Sequence, residues 1–217
     1  MKLKKIASLM LAGVMAVSML AGCSNGTKPE DDKKDPVVDS SLTGKVIAAL
    51  DEDTTKNVTF TSSSALDATI NKTIAVIGTE NIDKMAVGDL RNVDDELGKD
   101  SEFAYRYNND KNNADAASKD AKVTVIVNAQ VPAGASEDYA VKQIAKAIDN
   151  SSVVKNLETD SVTFTVDTDG DGEKEEFWYN WTYTGNISVV EVKDAQTGVV
   201  SYVVVYTMNR TAEKDSK

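Results

Sequence analysis

The hydrophobic positions of the chain follow two periodicities, which divide it into a mainly helical part and a mainly stranded part. Between residues 42 and 97, apolar side chains recur every three or four positions, which predicts amphipathic helices. Three such helices are predicted, over residues 42–50, 64–77 and 82–97. A fourth helix, with Ser136 as its N-cap, is predicted among the strands that follow.

Strict alternation of apolar and polar residues predicts the strands. They lie at 58–60, 103–107, 123–131, 162–166, 177–183, 187–193 and 199–208. Short links join the last four, which predicts an antiparallel meander, and residues 194–198 supply a hairpin turn that ends in glycine. We therefore expect one α+β domain over residues 40–210, with an antiparallel β meander in the C-terminal third and helices packed on one face of the sheet.

The order of these elements also suggests an alternative fold. Helices and strands come first, then one helix, then a long meander. This order resembles the cystatin-like cone of the families related to nuclear transport factor two. The resemblance implies a curved sheet as the alternative architecture within the α+β class.

The first 23 residues have the three-part pattern of an export signal. Three lysines stand among the first five residues, an apolar run of about 15 residues follows, and Leu20-Ala21-Gly22-Cys23 ends it. The run is shorter than the roughly 20 residues that span a bilayer as a helix, and it fits the core of a signal peptide. The final four residues resemble the lipobox of bacterial lipoproteins.

That resemblance implies a lipid anchor at Cys23, with cleavage after Gly22 and acylation of the new amino terminus. Residues 1–22 would then be the signal peptide and residues 23–39 the lipidated cysteine and a flexible polar tether. The alternatives are an ordinary signal peptide with a chance cysteine, or an uncleaved anchor. The expected location is the outer face of a bacterial cytoplasmic membrane, and residues 211–217 are expected to form a polar tail.

Composition narrows the chemistry that is open to this chain. Its 217 residues include no histidine and one cysteine, so a Ser-His-Asp triad, a histidine zinc site and an intrachain disulfide are excluded. It has 24 basic against 35 acidic residues, a formal charge of −11, and three of the lysines lie in the signal. Such a surface repels the phosphates of nucleic acids, so we expect no nucleic-acid partner.

The segment from Asp167 to Glu175 is the clearest candidate for chemistry. Oxygen ligands at alternate positions, with glycines between them, are what Ca²⁺ requires. The start of the segment resembles an EF-hand loop. The whole resembles more closely the calcium loop of FG-GAP-type β repeats, which implies Asp167, Asp169, Asp171 and Glu175 as ligands of a structural Ca²⁺. The other interpretation is a solvated acidic turn, since Asp-Gly favours turns.

A stripe of aromatic residues, at positions 177, 179, 181 and 183, lies on one face of a predicted strand, and Trp178 points to the other. The stripe is interpreted as core, because a half-buried sheet needs such filling. The same side chains, if exposed, would make a platform for sugar rings or a partner. Trp178 is the better candidate for an exposed contact with a glycan or a protein ligand.

These observations favour a membrane-anchored binding or scaffold domain over an enzyme. No recognised catalytic motif is present in the sequence. The competing hypotheses are a carboxylate-dependent glycan hydrolase, since two acids far apart in sequence can meet in a groove, and a calcium-stabilised cell-surface module.

Overall fold

The computed structural model describes residues 41–100, 103, 120–157, 162–166, 171–194 and 198–215. Its helices are α1 (Leu42–Ala48), α2 (Glu52–Asn57), α3 (Ser64–Ile77), α4 (Val87–Arg91), α5 (Glu137–Asp149) and α6 (Ser152–Lys155), and a 3₁₀ helix covers Thr79–Lys84. Its strands are β1 (Val58–Ser62), β2 (Ala121–Val127), β3 (Val162–Val166), β4 (Glu175–Lys193) and β5 (Val200–Asp215). Within the described residues, no helix is both long enough and apolar enough to cross a membrane.

The five strands form one mixed sheet around β4. Strands β3, β4 and β5 are an antiparallel meander, and β2 pairs antiparallel with the outer edge of β5. The other edge of β4 is shared, because β3 pairs with residues 175–179 and β1 runs parallel to residues 183–187. The predicted α+β class and the C-terminal meander are therefore confirmed.

Helices cover both faces of the sheet, whereas the sequence predicted them on one. On one face, α1, α5 and α6 pack against Ile187, Val204 and Tyr206. On the other, α3 and α4 pack against Val192, Val203 and Val205 with the alternate side chains of the same strands. The buried residues of β5 are consecutive for this reason, as is typical of a strand enclosed on both sides. The cystatin-like alternative stays a prediction that rests on the order of elements.

Capping residues and buried polar contacts fix the helices on the sheet. Ser63 caps α3, since its hydroxyl accepts from the Leu66 N–H at 3.2 Å. The hydroxyl of the buried Ser188 on β4 donates to the Asp67 carboxylate in the first turn of α3. On the opposite face, the Thr43 hydroxyl of α1 accepts from the Val189 N–H at 3.0 Å. These contacts satisfy polar groups that would otherwise cost free energy on burial.

The meander contains three strands and not the predicted four. Gly185 was expected in a link between two strands, but β4 continues through it for 19 residues. A Cβ at position 185 would overlap the Phe60 ring and lie 2.8 Å from the Thr207 carbonyl oxygen. Glycine is therefore present because neighbouring groups approach the backbone closely there, and not because the chain turns.

Other boundaries also differ from the prediction. The stripe over 82–97 is not one helix, because Met85 leaves the 3₁₀ helix in an extended conformation and Asp89 begins α4 by accepting the Ala86 N–H at 2.9 Å. Met85, Leu90 and Leu97 are nevertheless buried together. Strand β5 extends to Asp215, so most of the predicted polar tail pairs with β4. Of the strand predicted at 103–107, only Phe103 lies within the described residues.

Candidate functional site

The acidic segment lies in the sequence between β3 and β4, which pair antiparallel in the sheet. Val166 pairs with Glu175, and the Asp171 carboxylate accepts the Glu173 N–H at 2.8 Å, which stabilises the turn locally. Asp167 and Asp169 lie outside the described residues, as does Cys23. Among the described side chains, no three acidic residues come together in a way that would hold a metal ion. Calcium binding therefore stays a prediction that rests on all four proposed ligands.

The aromatic stripe is core, as predicted. Tyr179, Trp181 and Tyr183 are each less than 10% exposed, and Phe177 packs against the same cluster. Trp178 lies on the other face of β4 and is half-buried. Helix α3 covers only the far end of that face, and around Trp178 the face carries exposed threonine and asparagine side chains instead, at positions 163, 180, 182 and 211.

Two buried polar side chains of β5 belong to the core that surrounds this stripe. Arg210 is 1% exposed, and its guanidinium lies 4.4 Å from the ring centroid of Trp181 and 5.5 Å from that of Phe103. The ring quadrupoles of these aromatic side chains stabilise the cation. The Tyr206 hydroxyl lies 2.7 Å from the Ser151 hydroxyl, and burial raises the pKa of Tyr206 to about 12. Both groups are enclosed, so they support the fold and do not form a surface site.

An open groove lies at the opposite end of the sheet, where β2 separates from β5. The last paired residues are Val127 and Val204, and beyond them the chain turns away through Asn128–Val131. A cavity of about 430 Å³ lies between that segment and residues 201–204. Met85 and Ile126 from one face of the sheet and Tyr202 from the other all line it. It therefore opens along the sheet edge and not onto one face.

Two further cavities flank the same stretch of β5, one on each face of the sheet. The first, about 550 Å³, is lined by Ala133, Gly134, Glu137, Glu191 and Tyr202. The second, about 310 Å³, is lined by Ile82, Asp83, Val192, Val199 and Ser201. Together the three cavities form one groove around residues 199–203, which we call the edge groove.

The charged residues that line the edge groove are all acidic. Asp83, Glu137, Glu191 and Asp194 line it, and no lysine or arginine is among the described lining residues. Glu137 is paired with Lys45 of α1. The pKa of Tyr202 is raised, first by burial and then by the nearby negative charges of Glu191 and Glu137. The groove thus combines apolar walls with more carboxylates than the two lysines beside it, Lys45 and Lys193, can balance, which suits an amphipathic cation.

Sequence reasoning did not find the edge groove. Its position depends on where β2 leaves β5, and the prediction carried β2 as far as residue 131. Pro132 and the positive φ of Gly134, 76°, mark a turn nearby, but they do not indicate that the partner strand continues.

Comparison with known proteins adds no relative from which a function could be carried over. No family model matches the chain, and neither a curated protein nor a solved structure matches it.

Proposed function

We propose that this chain is an extracytoplasmic lipoprotein, held on a bacterial membrane through Cys23, whose α+β domain binds or scaffolds without catalysing a reaction. The observation that carries the proposal is the position of the chain's only cysteine, at the end of a basic, apolar and small-residue pattern. One acyl chain binds a membrane only marginally, whereas the diacylglyceryl form supplies two chains and anchors stably.

The edge groove and the acidic surface support the binding part of the proposal. The groove offers apolar walls and charged groups at the surface. By contrast, the buried polar side chains of β5, Arg210 and Tyr206, contact Trp181 and Ser151 inside the core. The domain would present this groove outside the cell, at the distance from the membrane that residues 23–39 allow. A glycan ligand near Trp178 is the second candidate, favoured by the half-buried indole on an open polar face.

Replacing Cys23 with alanine in the producing cell tests the anchor. Without the thiol no thioether can form, so we expect the protein to move from the membrane fraction to the medium or the soluble extracytoplasmic fraction. Cys23→Ser is a second variant that removes lipidation but keeps a polar group of similar size. Membrane retention that is unchanged in both variants would refute the proposal.

A further inference from the structure

The edge groove contains a short stretch of β5 that, among the described residues, has a strand partner on one side only. Residues 200–203 pair with β4, but β2 ends opposite Val204. The free stretch is four residues long, or about 13 Å of extended chain. An unpaired strand edge presents backbone donors and acceptors to any extended segment that comes alongside.

The hydrogen-bond phase of the hairpin shows which backbone groups face the groove. The Asp194 N–H donates to the Val199 carbonyl at 2.8 Å, so that carbonyl faces β4. The Val189 N–H, opposite Val204, donates to the Thr43 hydroxyl and so faces away from β5. Hydrogen-bonded and non-hydrogen-bonded pairs of residues alternate along the antiparallel ladder between these two points. Ser201 and Val203 therefore direct their backbone groups to β4, while Val200 and Tyr202 direct theirs into the groove.

The opposite end of β5 agrees with this phase. The Ala212 N–H, an even number of residues from Tyr202, faces away from β4 and donates to the Asp120 carboxylate at 3.1 Å. Near the groove, by contrast, residues 128–135 make no backbone hydrogen bond to Val200 or Tyr202, in a stretch where both partners are described. With respect to the described part of the chain, two N–H and two C=O groups are thus available to a further strand.

The flanking cavities match the side chains of such a strand. Successive side chains of an added strand point to opposite faces of the sheet. Those on one face would enter the cavity beside Glu191 and Tyr202, and those on the other would enter the cavity beside Asp83 and Ile82. Within the described residues, neither Asp83 nor Glu191 has an ion-pair partner. Each cavity therefore offers apolar contact together with a carboxylate.

We infer that the edge groove binds an extended, basic, partly apolar peptide segment, which adds to β5 as a strand beside Val200–Val203. This inference deepens the proposed binding function and rests on it. Backbone hydrogen bonds supply affinity for any extended chain, and the carboxylates on both sides select positive side chains. A second copy of this chain is disfavoured as the occupant, because two surfaces of like negative charge repel each other.

The probe is a labelled octapeptide of two Lys-Lys-Val-Val repeats, which places lysine and valine on both faces of an added strand. Its ends are blocked, and it is titrated against the intact chain in a non-ionic detergent. An octapeptide of two Glu-Glu-Val-Val repeats is the matched control. By fluorescence anisotropy at about 50 mM salt, we expect the lysine peptide to bind at least tenfold more tightly, and the difference to shrink as salt screens the charges.

Two variants, each with a control, distinguish the contribution of the carboxylates to binding from that of the strand edge. Glu191→Lys should lower the affinity for the lysine peptide about tenfold. The control is Glu176→Lys, at an exposed glutamate 15 residues earlier on the same strand, which should change that affinity less than about twofold. Val200→Pro removes an N–H that faces the groove and no ladder bond to β4, so about tenfold weaker binding is expected, with Val200→Ala as its control. If Val200→Pro does not fold, the charge variants and the comparison of the two peptides still test the inference.

Equal affinity for both peptides, no binding at about 1 mM peptide, or binding that neither variant weakens would overturn the inference. Concentration-dependent association of the chain at this edge would overturn it as well, in favour of a second copy. Membrane retention is measured separately on the Cys23 variants, so a peptide that fails to bind while retention depends on Cys23 refutes the peptide inference and leaves the anchor in place.

Discussion

Replacing Tyr206 with phenylalanine removes a buried hydroxyl whose ionisation is tied to folding. The hydroxyl lies 2.7 Å from that of Ser151, and burial raises the pKa of Tyr206 to about 12 from an ordinary value near 10. Below pH 10 the phenol is protonated in both states. Between pH 10 and 12 the unfolded chain loses the proton while the folded chain keeps it, so stability falls as pH rises.

The size of this effect follows from the two pKa values. Two pKa units correspond to about 3 kcal/mol, which is lost in full only above pH 12, and about half of it is lost by pH 11. The phenylalanine variant loses one hydrogen bond, about 1 kcal/mol, at every pH, but it has no phenol to ionise. The wild type should therefore be the more stable by about 1 kcal/mol at pH 8, and this advantage should disappear by about pH 11.

Urea unfolding followed by circular dichroism, at pH 8, 9, 10 and 11 and constant ionic strength, measures the difference between the two chains. Other titrating groups are present in both chains and cancel in the difference. Tyr139→Phe, at a tyrosine that is 44% exposed, is the control for loss of a phenol outside the core. A difference between wild type and Tyr206→Phe that stays constant from pH 8 to 11 would refute this reasoning.

Two further predictions concern the backbone at Gly185 and the acidic hairpin. Gly185→Ala should lower the free energy of unfolding by about 1–3 kcal/mol, because the new methyl group overlaps the Phe60 ring. The control is Gly88→Ala, in a helix where a new methyl group has nothing within 4 Å, and it should raise the free energy of unfolding by up to about 1 kcal/mol. Equal effects of the two substitutions on the melting temperature would contradict the close approach at Gly185. If the hairpin over residues 167–175 binds calcium, millimolar calcium should raise the melting temperature by a few degrees and Asp169→Ala should abolish that rise. A melting temperature indifferent to calcium at constant ionic strength would favour the bare acidic turn.

Local patterns predicted the elements whose formation depends on local sequence. The stripe of α3 and the capped start of α5 were found because 3.6-residue periodicity and a serine N-cap act within a few neighbouring residues. The interpretation of the aromatic stripe as core was also correct, since an alternating strand in a small domain has one face to bury. The hairpin before Val199 was found from its glycine, whose φ is 70°.

The features that the sequence did not reveal depend on contacts between distant segments. The close approach at Gly185 exists only because Phe60, more than 120 residues earlier, packs over it. The second helical layer was missed for a similar reason, because β4 and β5 are apolar on both faces only where α3 covers them. The edge groove exists because β2 ends opposite Val204, whereas β5 begins four residues earlier, at Val200. This offset depends on both strands together and cannot be read from either one alone.

The parallel pairing of β1 with β4 sets the order in which the domain can assemble. Val58 pairs with Tyr183, so β1 has no partner until most of the chain is present, whereas β4 and β5 are joined by a short hairpin. Long-range pairing carries a large loop-closure cost and slows folding. Strand β1 would thus stay without its partner in the sheet until β4 has formed. We expect folding to begin at the β4–β5 hairpin and the pairing of β1 with β4 to form last.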